Sequence, residues 1–142
     1  MSSRELHRGR LIDHIHLVVK ELGPAKDFYS AIFKALDIPV GGVGEDFFWA
    51  DELFVSTADS KAAQGKLTGR CHLAFQAKDR KKVEEFYKAA IANGGIDNGA
   101  PGERHYHPGY YAAFVLDPDG NNIEAVFHGD AQRSASSVKI SF

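Results

Sequence analysis

The sequence predicts an α+β fold made of two repeated modules. Three observations carry this: a period-2 strand pattern that occurs twice, a helical apolar stripe after each occurrence, and short β-like runs after each helix. Setting residues 14–36 against 72–94, an offset of 58, places His14 on His72, Lys20 on Lys78, Phe28 on Phe86, Tyr29 on Tyr87 and Ala31 on Ala89. Chance alone would give about one or two such identities at ordinary residue frequencies. At 142 residues the chain is the size of one compact domain, with module 1 expected over about 11–58, module 2 over about 70–128, and a polar C-terminal tail over 129–142.

Each element has a local reason. In LIDHIHLVV, Leu11 to Val19, the residues alternate, so Ile15, Leu17 and Val19 share one face and His14, His16 and Val18 the other. Pro24 suits a first helical turn, and Ala25, Phe28, Tyr29, Ile32 and Leu36 then form an apolar stripe at helical spacing. Strand-like runs follow at Phe47–Trp49 and Leu53–Thr57. The second module opens with RCHLAFQAKD, where Leu73, Phe75 and Ala77 oppose His72, Ala74 and Gln76. Asp79 is the expected N-cap of its helix, Val83, Phe86, Tyr87, Ala90 and Ile91 its stripe, and Gly94–Gly95 its end. Runs at Tyr110–Leu116 and Asn122–Phe127 are joined by DPDGNN, a strong turn signal. VKISF near the end has the pattern of an edge strand.

Composition narrows the function. Seventeen Lys and Arg against 19 Asp and Glu give a formal charge of -2, which argues against nucleic acid, since binding it needs a clustered basic surplus. No apolar run approaches the roughly 20 residues that span a bilayer, and MSSRELHRGR lacks the apolar region of a signal peptide. A cytoplasmic protein without a membrane partner is expected. The one cysteine, Cys71, excludes an intramolecular disulfide and fits a reducing compartment.

The apolar strand faces should meet the helices, leaving the histidine faces for a ligand. In the last strand Ile123, Ala125 and Phe127 are apolar, whereas Asn122, Glu124, Val126 and His128 share the other face. A mid-strand glutamate pays desolvation unless a cation or a hydrogen-bond donor meets it. A divalent metal (Zn, Fe, Mn, Ni or Co) is one such partner, and a lysine or arginine is the alternative. The equal position of His14 and His72 in the repeat favours the metal, with His14, His72 and Glu124 as its ligands.

DHIHLVV with His14, RCHLAF with His72 and DPDGNNIEAVFH with Glu124 resemble the three metal-ligand motifs of the vicinal oxygen chelate superfamily, over nearly all of Leu11 to His128. The superfamily includes glyoxalase I, fosfomycin-resistance transferases, methylmalonyl-CoA epimerase, extradiol dioxygenases and bleomycin-binding proteins. The resemblance implies two βαβββ modules forming a cupped, incomplete mixed β-barrel with helices outside, around a metal that stabilises charge on substrate oxygens. Glyoxalase-like members usually add a carboxylate from the last strand of the first module. Here the matching position falls near Phe54, with Glu52 two residues earlier on the same face.

The remaining candidates surround that centre. GAPGERHYHPGYYAAF, Gly99 to Phe114, reads as a loop in which His107 or Glu103 serves as general acid or base and Arg104 and Tyr110 contact substrate. His16 sits about 6–7 Å along the strand from His14 and is assigned to substrate contact, as is Trp49. The expected function is a metal-dependent glyoxalase-like lyase or isomerase, a homodimer, acting on a small oxygen-rich metabolite. An extradiol-type dioxygenase and a non-catalytic small-molecule-binding protein of the bleomycin-resistance kind are the alternatives.

Overall fold

In a computed structural model covering residues 5–9, 11–60 and 63–142, the chain forms β1 (Glu5–Arg8), β2 (Ile15–Val19), α1 (Leu22–Ala35), β3 (Gly42–Val43), β4 (Phe47–Ala50), β5 (Leu53–Thr57), β6 (His72–Gln76), α2 (Arg80–Ala92), β7 (Ile96–Glu103), β8 (Tyr111–Leu116), β9 (Asn122–Phe127) and β10 (Val138–Ser141). Among the described residues ten strands make three sheets. One has the order β2-β5-β4-β3, a second β6-β9-β8-β7, and β1 pairs with β10 in a separate ribbon. The first two are mixed, because β2 runs parallel to β5 and β6 parallel to β9 while the other neighbours are antiparallel. They do not close into a barrel. Among the described residues no helix is long and apolar enough to cross a membrane.

Both sheets and both helices share one core. Leu17, Val19, Phe48 and Val55 from the first sheet and Val115, Ile123 and Ala125 from the second are essentially inaccessible, as are Phe28, Tyr29 and Ile32 of α1 and Val83 and Phe86 of α2. Phe33 meets Phe75 edge-on at 5.5 Å, which ties α1 to the second sheet. Asp79 caps α2 as its position requires, accepting the Lys82 backbone N–H at 2.8 Å. Ile91 departs from the expected stripe and is 39% exposed, on the flank of α2 that leaves the core.

The turn at Asp117 fastens the two modules. Its buried carboxylate accepts the backbone N–H groups of Asp119 and Asn121, the Asn121 amide at 2.9 Å, and the Tyr29 hydroxyl of α1 at 2.5 Å. Burial, with this carboxylate alongside, raises the Tyr29 phenol well above its ordinary range and keeps it a donor.

Candidate functional site

Each sheet has one face in the core and one open face, and the candidate residues other than Glu103 divide between the two open sides. On the second sheet, register places Glu124 of β9 between Ala74 of β6 and Phe114 of β8. Glu124 is 2% exposed, so its carboxylate needs internal partners. It has two: His72 Nε2 lies 2.8 Å from Oε1, and the Tyr110 hydroxyl donates to Oε2. Burial, together with the adjacent Glu124, pushes the Tyr110 phenol far above its usual range, so it stays protonated as a donor.

Tyr110 is held by a histidine pair. His107 Nε2 and His128 Nδ1 are 2.8 Å apart, and both rings lie about the Tyr110 ring at centroid distances of 5.3 Å. The loop reaches β9 because Gly109 and Gly129, with φ of +85° and +70°, let two backbones touch: a Cβ on Gly129 would lie 3.0 Å from Gly109 Cα.

On the first sheet, the row equivalent to Ala74–Glu124 is His16–Phe54, continued by Trp49 and Gly42. Phe54 therefore stands where the second sheet has its carboxylate, and its ring meets the His16 ring edge-on at 5.1 Å. His16 Nε2 bonds Ser56 Oγ at 2.7 Å. Burial, with a smaller contribution from neighbouring His14, lowers its pKa below 6.5. The folded chain then takes this proton less readily than the unfolded one, so stability is unaffected above about pH 6.5 and falls as pH drops below it. Titration of His16 by NMR should give a midpoint below 6.5; a midpoint above that value contradicts the assignment.

His14 lies just before β2, 66% exposed at its side chain, with Nδ1 2.7 Å from Asp13 Oδ1. With His16, Glu52, Phe47, Trp49 and Phe54 it lines a cavity of about 450 Å³. His14 is not brought to His72 and Glu124 within the chain, since among the described residues no three His, Cys, Asp or Glu side chains are placed to hold one ion.

The other candidates separate likewise. Glu103 is in register with Tyr111, on the helix side of its sheet, and pairs with Arg80 at 2.8 Å, so it does not face Glu124. Arg104 lies over the Phe114 ring at 5.4 Å and donates to the Ala100 carbonyl at 2.8 Å, beside the His72–Glu124 pair but committed to backbone. His107 serves His128 and Tyr110 rather than Glu124. Arg8, in a polar N-terminal arm with no apolar pattern, gave no signal in the sequence, yet it lines the cavity.

The His72–Glu124 pair fits half of a metal centre. Metal bonds of about 2.0–2.2 Å at octahedral to tetrahedral angles separate neighbouring donors by about 2.8–3.6 Å, a range whose lower end is the 2.8 Å spacing of the pair. Tyr110 fits the outer position that holds a ligating carboxylate in one orientation.

Two α-β sheets with related register and a His–carboxylate pair on one open face define a class that comparison with known proteins identifies. The chain belongs to the Glyoxalase/Bleomycin resistance protein/Dioxygenase superfamily, whose family model matches residues 11–125. It is similar to the crystal structure of a glyoxalase/bleomycin resistance protein from Albidiferax ferrireducens T118, with 28% identity, 82% of this chain and 97% of that chain covered, and a TM-score of 0.65. A glyoxalase/bleomycin resistance protein/dioxygenase family enzyme from Burkholderia phytofirmans PsJN shares the fold at 20% identity, 80% and 95% coverage and a TM-score of 0.63. So does a lactoylglutathione lyase from Agrobacterium tumefaciens, at 19% identity, 82% and 92% coverage and a TM-score of 0.58. No curated protein matches the chain.

Proposed function

We propose that the chain is a metal-dependent, glyoxalase-like enzyme of lyase or isomerase type acting on a small oxygen-rich metabolite. We also propose that its site is completed between two copies, His14 of one joining His72 and Glu124 of the other. The buried Glu124 carboxylate facing His72 Nε2 at 2.8 Å is the observation that supports this most directly. A divalent ion bound there supplies Lewis-acid stabilisation of an oxyanion. Glu124 provides the charge that holds the ion, Tyr110 keeps the carboxylate's second oxygen turned aside, and His16, uncharged at neutral pH, is a proton acceptor on the opposing face.

Protein purified without chelator is expected to carry about one equivalent of transition metal per chain and to lose thermal stability in EDTA. Less than about 0.2 equivalents, unrestored by reconstitution, defeats the proposal. Tyr110→Phe should lower metal affinity by about 10- to 100-fold, the usual effect of removing such an outer partner. Unchanged affinity would leave Tyr110 no role at the centre. The ligand set of two histidines and one carboxylate with open positions also suits an extradiol-type dioxygenase, which oxygen consumption with a catechol would reveal.

A further inference from the structure

The C-terminal segment makes a cavity that the metal centre does not use. At Gly129 the chain turns with φ of +70°, and at Val138 it enters β10, which β1 anchors. Between these points residues 131–136 pass over the end of β6 and β9, where Gln76 and Val126 are in register. This crossing lies beyond residues 11–125, the span of the family core. Beneath it is a space of about 580 Å³, within the range that small ligands occupy. None of His72, Tyr110 and Glu124 lines it.

The floor is apolar: Leu36, Ala77 and Val126 are buried there, and Phe127, Ala131 and Ala135 extend it. The lining charges are of one sign. Lys78 and Arg133 line the cavity and no Asp or Glu does, in a chain of net charge -2. Asp37, the counterion of Lys78 at 3.2 Å, stands outside the lining and also serves Lys82 at 3.1 Å. Asp130 lines the neighbouring hollow with Arg80. Arg133 is paired with no carboxylate among the described residues. Its Nε and Nη2 donate to the Ala135 and Ser136 carbonyls at 3.3 Å and 2.8 Å, which holds the guanidinium in place and leaves Nη1 without an acceptor among the described residues. A cation fixed in advance loses little entropy on meeting an anion, so its charge-assisted hydrogen bond is retained as affinity.

We infer that this cavity binds a monocarboxylate with a short apolar body, the carboxylate meeting Arg133 and Lys78 and the apolar part lying on Leu36 and Val126. The same charges disfavour an amine, and an alcohol gains the apolar contact alone.

Ala77, Ala131 and Ala135 line this site, whereas Trp49 lines the separate cavity of the first sheet, so their N–H resonances report the two places independently. The full chain, labelled at its alanine and tryptophan nitrogens, would be titrated at low salt in EDTA, and again with zinc, using octanoate, 1-octanol, octylammonium and acetate. Octanoate should shift the three alanine amides saturably in both media. It should bind about 10-fold more tightly than 1-octanol, as one hydrogen bond to a charged group allows. It should exceed acetate by about 100-fold, the effect of covering roughly half of its additional methylenes. Arg133→Met should remove the advantage over 1-octanol and leave 1-octanol binding unchanged. Lys78→Met, outside the crossing segment, should weaken octanoate by about 3-fold, as loss of an exposed ion pair does. Lys88→Met, which removes an exposed charge of α2 that does not line the cavity, should change neither. If Arg133→Met loosens the segment, 1-octanol weakens together with octanoate, and Lys78→Met then decides. No saturable shift of the alanine amides, tightest binding of octylammonium, acetate or 1-octanol equal to octanoate, binding that requires zinc or moves Trp49 alone, or an octanoate preference undiminished in both variants overturns the inference. The zinc content of the same samples reports the metal reading separately.

Discussion

Asp117→Ala is expected to destabilise the chain by about 3–5 kcal/mol, a large share of the total stability of a domain this size. Four donors converge on this 2% exposed carboxylate: two backbone N–H groups, the Asn121 amide and the Tyr29 hydroxyl. Alanine strands them in a space too buried for full rehydration, and each unmet buried donor costs about 1–3 kcal/mol when nothing relaxes. Relaxation of the turn keeps the sum below the simple total. Tyr29→Phe removes only one donor together with one acceptor interaction and should cost about 1 kcal/mol. The two substitutions touch, so their effects should not add, and the double variant should lose less than the sum. Urea unfolding of all three measures this. A loss below about 1 kcal/mol for Asp117→Ala would mean that the turn does not fasten α1 to the second sheet.

The legible parts of this fold were those written in local chemistry. Asp79 has to cap something, strand alternation sorts Ile15 from His16, and DPDGNN has to turn; each rests on neighbours in sequence. The register of the repeat was legible as well. His16 opposite Phe54 and Ala74 opposite Glu124 agree with the count that put Phe54, not a carboxylate, at the matching position of the first module. What escaped depends on distant partners. VKISF forms the edge strand its pattern suggests, but its partner β1, which pairs Glu5 with Ser141 across almost the whole chain, lies in a polar arm with no pattern of its own. The first part of the Gly99–Phe114 segment, read as loop, continues β7 to Glu103, because Gly99 and Gly102 shift its register without ending it. Tyr110 was expected to contact substrate. Its bond to Glu124 depends on two glycines letting backbones touch across the loop, which residue type alone does not announce.

The second large effect follows from the division of the candidate ligands between two open faces. His14→Ala and Glu124→Ala are each expected to abolish activity and metal retention when tested alone, because each removes one ligand from every site. Mixing them, after unfolding and refolding together, should restore part of both. In a twofold dimer whose sites each take His14 from one copy and His72 with Glu124 from the other, a mixed dimer has one site with both defects and one with neither. Random pairing makes about half the dimers mixed, so about a quarter of all sites should recover. A site built within one chain predicts no recovery at any mixing ratio, because every chain then carries its own defect. Metal content and activity should rise together with the fraction of mixed dimer, and zinc should bind the mixture with the affinity of the unmodified protein. Such recovery would give the 66% exposed His14 the partners that its own chain does not place beside it.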